Sequence, residues 1–168
     1  METPVALDVR GGLRLEALLA LPESPKAGLV VCHPHPLYRG DMENPVVVRV
    51  AEVAQGVGMA TLRFNFRGVG ASGGVHAGGE GEQDDVAAAL AALAGRLPAE
   101  SPIGLAGYSF GAWVAARVAA AMPSLPALAL VELKQVKVAQ ARLQYLVDNF
   151  PQSEEAPLAR ERLKNLGQ

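Results

Sequence analysis

A chain of 168 residues that is 50% hydrophobic has the length for one packed core and too much apolar content to stay disordered. Its net charge of -2 gives no electrostatic footprint for nucleic acid or for an anionic membrane surface, so partners have to be read from sites. The single cysteine, Cys32, excludes an internal disulfide and reads as a small buried hydrophobe.

Met1-Glu2-Thr3-Pro4 has neither a basic region nor a long apolar stretch, which predicts no signal peptide and a cytoplasmic protein. No uncharged run approaches the roughly 18 residues of a membrane span, so no membrane partner is expected.

Residues 5–9 and 13–20 are apolar-rich and are separated by Arg10-Gly11-Gly12, the pattern of a tight antiparallel hairpin. After the breaker stretch Leu21-Pro22-Glu23-Ser24-Pro25-Lys26, residues 27–32 are continuously apolar, as in a central strand covered on both faces. Asn44-Pro45 leads into 46–56, where apolar positions mix with Arg49, Glu52 and Gln55 at helical spacing. Residues 58–66 form the next predicted strand, followed by a glycine-rich loop over 68–81. Asp84 and Asp85 precede a predicted helix over 86–96, where acids suit the positive end of the helix dipole, and Pro98 stops it. The run beginning at Ile103 ends in Gly107-Tyr108-Ser109-Phe110-Gly111 and passes into an alanine-rich segment, which reads as strand, tight turn and helix. Pro126 introduces another apolar run over 127–133.

Strands alternating with helices predict an α/β fold with a mostly parallel sheet, flanking helices and right-handed crossovers. From Leu133 the character changes: Val136, Ala139, Leu143, Val147 and Phe150 recur at three- and four-residue spacing among Lys, Arg and Gln, an amphipathic helix. Pro151-Gln152-Ser153-Glu154-Glu155 breaks it before a shorter predicted helix over 156–166. The expected organisation is a core over 1–132 and a helical tail over 133–168, packed on the core or extending from it.

The pattern G-x-S-x-G at 107–111 marks Ser109 as a candidate nucleophile. A sharp strand-to-helix turn strains its central residue and leaves no room for bulky neighbours, while the N–H of Phe110 faces developing negative charge. His33-Pro34-His35-Pro36 follows the central strand, at the sheet end where open α/β folds build their sites. The prolines lack an N–H, so an oxyanion donor from this loop has to be the N–H of His35 or Leu37. Gly68-Val69-Gly70-Ala71-Ser72-Gly73 matches G-x-G-x-x-G, but the loop runs on through Gly74, Gly78, Gly79 and Gly81 without opening a helix at the third glycine, which argues against a dinucleotide site. His76 in the same loop reads as a solvated surface histidine, and Arg63 and Arg67 as structural or loop-anchoring. No Cys/His set has metal-ligand spacing, so neither a metal nor another cofactor is expected.

Together, His33-Pro34-His35-Pro36-Leu37-Tyr38, Arg63-Phe64-Asn65-Phe66-Arg67-Gly68-Val69-Gly70-Ala71-Ser72 and Gly107-Tyr108-Ser109-Phe110-Gly111 resemble the small bacterial α/β-hydrolases near the dienelactone-hydrolase and carboxylesterase branch. The resemblance covers about residues 5–131. It implies an eight-stranded sheet, Ser109 as nucleophile, the Phe110 N–H as one oxyanion donor and the His33 to Leu37 loop as source of the other. It also implies two further strands carrying an acid and then a histidine. In this chain no histidine follows Ser109: His33, His35 and His76 all precede it, and Asp148 falls in a predicted helix. The last part, with Tyr145, Asn149-Phe150-Pro151 and Ala159, resembles a tetratricopeptide-type helix pair, so the chain reads as the N-terminal portion of a hydrolase joined to an unrelated end.

Two functions stay open at this point. One is a serine hydrolase, an esterase acting on a small ester or lactone through Ser109, with His35 as substitute base oriented by Asp41. The other is a catalytically impaired hydrolase-like domain whose tail contacts a protein partner or a second copy.

Overall fold

The computed structural model describes residues 1–122, the backbone of Ala127–Val131, and Arg160. The chain divides into two compact units, Met1–Glu132 and Leu133–Gln168, and the sheet belongs to the first. Apart from Arg160, the two helices expected over 133–168 and the tetratricopeptide-like pattern lie outside the described residues.

Strands β1 (Thr3–Val9) and β2 (Leu13–Ala20) form the expected hairpin, with Val9 opposite Leu13. Gly11 and Gly12 make its turn at φ +81° and +80°, a conformation that disfavours any side chain. Among the described residues, β3 (Gly28–Cys32), β4 (Ala60–Phe64), β5 (Ile103–Tyr108) and β6 (Ala127–Val131) join them in a six-stranded sheet in the order β1-β2-β4-β3-β5-β6. The β1/β2 and β2/β4 junctions are antiparallel and the other three parallel, so the sheet is mostly parallel as expected.

The uninterrupted apolar character of β3 has a direct cause. Val30 and Cys32 pack on one face with Leu90 and Leu93 of α2 (Glu80–Ala94) and Val114 of α3 (Phe110–Ala121). Val31 packs on the other face with Val47 and Ala51 of α1 (Pro45–Gly56). Asn44 caps α1 by accepting the Val46 N–H at 3.0 Å, and Pro45 opens the first turn, where no N–H is needed.

Two sequence expectations need correction. Helix α2 begins at Glu80, six residues before the expected start at Val86, because the last part of the glycine-rich stretch is helical. Glu82 accepts the Gly79 N–H at 2.7 Å, which satisfies one donor at the helix entrance. Asp85 is therefore inside the helix rather than before it. It is fully buried and holds Arg67 through the backbone N–H and the guanidinium at 2.6 to 3.1 Å. His76, expected on the solvated surface, has only 17% of its side chain exposed and lies against His35, Phe110 and Glu82.

The anchoring roles of Arg63 and Arg67 stand. Arg63 donates to the Met42 carbonyl at 2.7 Å and to both oxygens of Glu2, fastening the loop after β3 and the N-terminus onto β4. The loop from Gly68 to Gly73 closes on itself through the Gly68 N–H to the Gly73 carbonyl and folds onto β2 through the Ala71 N–H to the Glu16 carboxylate and the Gly73 N–H to the Arg14 carbonyl. A phosphate would meet the Glu16 carboxylate at this loop, which disfavours a dinucleotide. Among the described residues, no helix is long and apolar enough to cross a membrane.

Candidate active site

The site lies where the strand order reverses. From β3 the chain moves to β4 on one side, then returns through α2 to β5 on the other, so the carboxyl ends of β3 and β5 open a crevice between them. Cys32 of β3 stands opposite Gly107 of β5. The histidine loop and the serine turn therefore leave adjacent strands at the same level.

Ser109 joins β5 to α3 at φ +55° and ψ -115°, a conformation that side-chain-bearing residues rarely adopt. It is exposed, and its hydroxyl does not cap the helix that follows. The flanking glycines are required by contact. A Cβ on Gly107 would meet the backbone of Gly111 and Ala112; one on Gly111 would lie 2.5 Å from the carbonyl oxygens of Cys32 and His33. Helix α3 thus rests directly on the end of β3. Its first residue, Phe110, presents a backbone N–H that has no carbonyl one helical turn back.

His33 is not a surface base. Its ring is fully buried, Nδ1 is 2.6 Å from the Pro34 carbonyl, and Nε2 accepts the Phe66 N–H at 3.0 Å. Burial pushes its pKa down to about 4, against the opposing effects of the Pro34 carbonyl and Asp41. It is a neutral pin between the loops that follow β3 and β4.

His35 is half-buried and its ring lies 4.7 Å from that of Phe110, so the expected approach of the histidine loop to the serine turn is present. Its Nδ1 accepts the Leu37 N–H at 3.2 Å. This places the proton of the neutral ring on Nε2 and makes that nitrogen a donor. The same bond turns the Leu37 N–H into its own loop, away from the role of oxyanion donor. Asp41 accepts the Glu43 N–H at 2.9 Å, forming the turn that leads into α1.

An imidazole and aromatic cluster surrounds the turn. His35 contacts Tyr38 and His76 at 5.0 Å between ring centroids, His76 contacts Phe110 at 5.4 Å, and Phe110 contacts Trp113 at 5.9 Å. His76 has no motif spacing to mark it, because the folding of the glycine-rich loop, and not spacing along the chain, carries it to the serine turn. Beside it, Glu82 is buried, yet its carboxyl pKa is lowered. Burial opposes the charge, but the N–H groups of Ala77, Glu82 and Gly79, together with His76, more than offset it.

No family model matches the chain. It is 41% identical over 113 residues to an uncharacterized protein of Rickettsia prowazekii, a match that covers 67% of this chain and 48% of that one. Among solved structures it superposes on an α/β serine hydrolase without lid from Xanthomonas campestris with a TM-score of 0.70 and 36% identity, over 77% of this chain and 60% of that one. An α-β serine hydrolase homologue from Coxiella burnetii gives 0.70 and 35%, over 76% and 61%.

The chain has the α/β-hydrolase fold. It spans about half the length of the curated relative it matches and about three fifths of these structures. Esterase Pf2001 of Pyrococcus furiosus, at 23% identity and a TM-score of 0.70, shares the fold. The strand–turn–helix from β5 to α3 makes a tight elbow centred on Ser109.

Proposed function

We propose that this chain is a serine hydrolase acting on a small carboxylic ester or lactone, with Ser109 as nucleophile. The observation that carries the proposal is the backbone of Ser109: a strained, exposed serine between two glycines that cannot bear side chains, at the sheet end where this fold binds substrate. Strain of this kind costs stability and aims the hydroxyl outward. The Oγ attacks the carbonyl carbon as its proton passes to a base that later protonates the leaving group, and the carbonyl oxygen gains negative charge.

That charge meets the N–H of Phe110 at the start of α3 and the N–H of His35 from the loop after β3. Each such donor contributes about 10²- to 10³-fold in rate. Leu37 leaves this role because its N–H is held by His35. Collapse of the tetrahedral species expels the alcohol and leaves an acyl-serine, which water then hydrolyses.

His35 serves as base only after its bond to Leu37 breaks and its tautomer changes, which weakens the role expected for it. The same bond favours a second reading, a hydrolase-like domain without an efficient base, with a protein partner or a second copy held through residues 133–168. The two are separated by treating the protein with a fluorophosphonate serine probe and reading intact mass, with Ser109→Ala as control. Stoichiometric labelling that the control loses is the expected result; a folded protein that stays unlabelled supports the second reading.

A further inference from the structure

The geometry points to His76, held by Glu82, as the proton acceptor for Ser109; the inference rests on the proposed role of that serine. Three facts converge on it. The His76 ring packs against Phe110, the residue that follows Ser109, and against His35, so it borders the elbow although it comes from the loop before α2. Its Nδ1 lies 2.8 Å from Glu82 Oε1, in range of the carboxylate but off the line of a hydrogen bond, which a small rotation of the ring would close. Glu82 itself is fixed: Oε1 accepts the Ala77 N–H at 2.9 Å and Oε2 the Gly79 N–H at 2.7 Å, and no part of the residue is exposed.

A fixed, ionised carboxylate beside Nδ1 selects the tautomer with the proton on Nδ1 and the lone pair on Nε2. That is the arrangement a general base needs, and the opposite of His35, whose Nδ1 is the acceptor. The acid and base thus come from one short segment upstream of the nucleophile. Catalytic hydrogen bonds commonly tighten only when substrate is bound.

In the acylation step, the Oγ–H proton of Ser109 passes to His76 Nε2 as Oγ bonds to the ester carbon, and Glu82 stabilises the imidazolium. His76 then returns the proton to the departing alkoxide, which leaves as alcohol. In deacylation His76 takes a proton from water as the hydroxide adds to the acyl carbon. It gives that proton back to Ser109 as the carboxylic acid is released.

The test measures the rate of fluorophosphonate labelling of the full chain in wild type, His76→Ala and His76→Gln, with melting temperature as the check on folding. His76→Ala is expected to lower the rate about 10²- to 10⁴-fold, and added imidazole to restore part of it by occupying the vacated space. A purely structural histidine would not give that rescue. His76→Gln keeps the volume without a base and is expected to be as slow, so it serves if the alanine variant melts early. Labelling of either variant at the wild-type rate overturns the inference while leaving Ser109 as nucleophile. A slow His76→Ala that keeps its melting temperature and gains nothing from imidazole also overturns it. Wild type that never labels overturns both this inference and the proposed function.

Discussion

At Ser109 the fold holds a residue where its own backbone would not choose to be. Replacement by glycine, which adopts φ +55° without strain, is expected to stabilise the protein by about 1 kcal/mol and to abolish probe labelling, checked by urea titration and intact mass. Gly111 is the converse case. The Cβ of Gly111→Ala would press on the Cys32 and His33 carbonyls at 2.5 Å, and chemical denaturation should show a loss of about 1 to 3 kcal/mol. His33 makes a pH prediction. Its pKa falls from 6.5 to about 4 on folding, so below pH 6.5 the unfolded chain takes up a proton that the native protein refuses. Stability contributed by the neutral ring is complete above pH 6.5 and is lost as pH falls toward 4, by up to about 3 kcal/mol. Unfolding measured at pH 7 and at pH 4.5 tests this, and His33→Asn should flatten the difference. Glu82, whose pKa is lowered from 4.5, loses its contribution in a more acidic window.

Helix α2 shows how one element joins the core to the site. Its first turn carries Glu82 toward the elbow, and its next turn carries Asp85 to Arg67. Gly81, just before Glu82, sits where a side chain would collide with the Arg67 guanidinium that Asp85 holds. Removing one partner of this pair leaves a charge with little access to water. Asp85→Ala is therefore expected to destabilise the protein by about 3 to 5 kcal/mol, measured by thermal or urea unfolding, whereas exposed Glu52→Ala, which loses only a surface pair with Arg49, should change it by less than about 1 kcal/mol. The start of α2 is not legible in the sequence, because Gly78, Gly79 and Gly81 have loop composition. Gly81 is nevertheless helical, and the space a side chain would need there is taken by Arg67, a residue fourteen positions earlier.

Across the molecule, protection should follow the sheet. β3 lies between β4 and β5 and has helices on both faces, so the amides of Val30 and Val31 are expected to exchange most slowly with deuterium, and those of β1 at the sheet edge faster. Uniform exchange rates across β1 and β3 would contradict this order. The sheet reversal between β3 and β5 is also what makes one crevice out of two distant loops, since residues 33–37 and 107–111 are separated by some seventy positions in the chain.

The hairpin, the central strand, the capped helix α1 and the serine turn were all legible in the sequence, because each rests on local chemistry. A glycine pair permits a turn, an unbroken apolar run demands cover on both faces, Asn44-Pro45 starts a helix, and G-x-S-x-G admits a tight elbow. The roles of the three histidines were not legible. Whether an imidazole is buried and neutral, locked as a donor or set beside a carboxylate depends on Phe66, Leu37 and Glu82, and in two of the three cases that partner comes from another element or turn. Tertiary structure decided those roles, because a tautomer is fixed by the atoms packed around the ring and not by its neighbours in the chain.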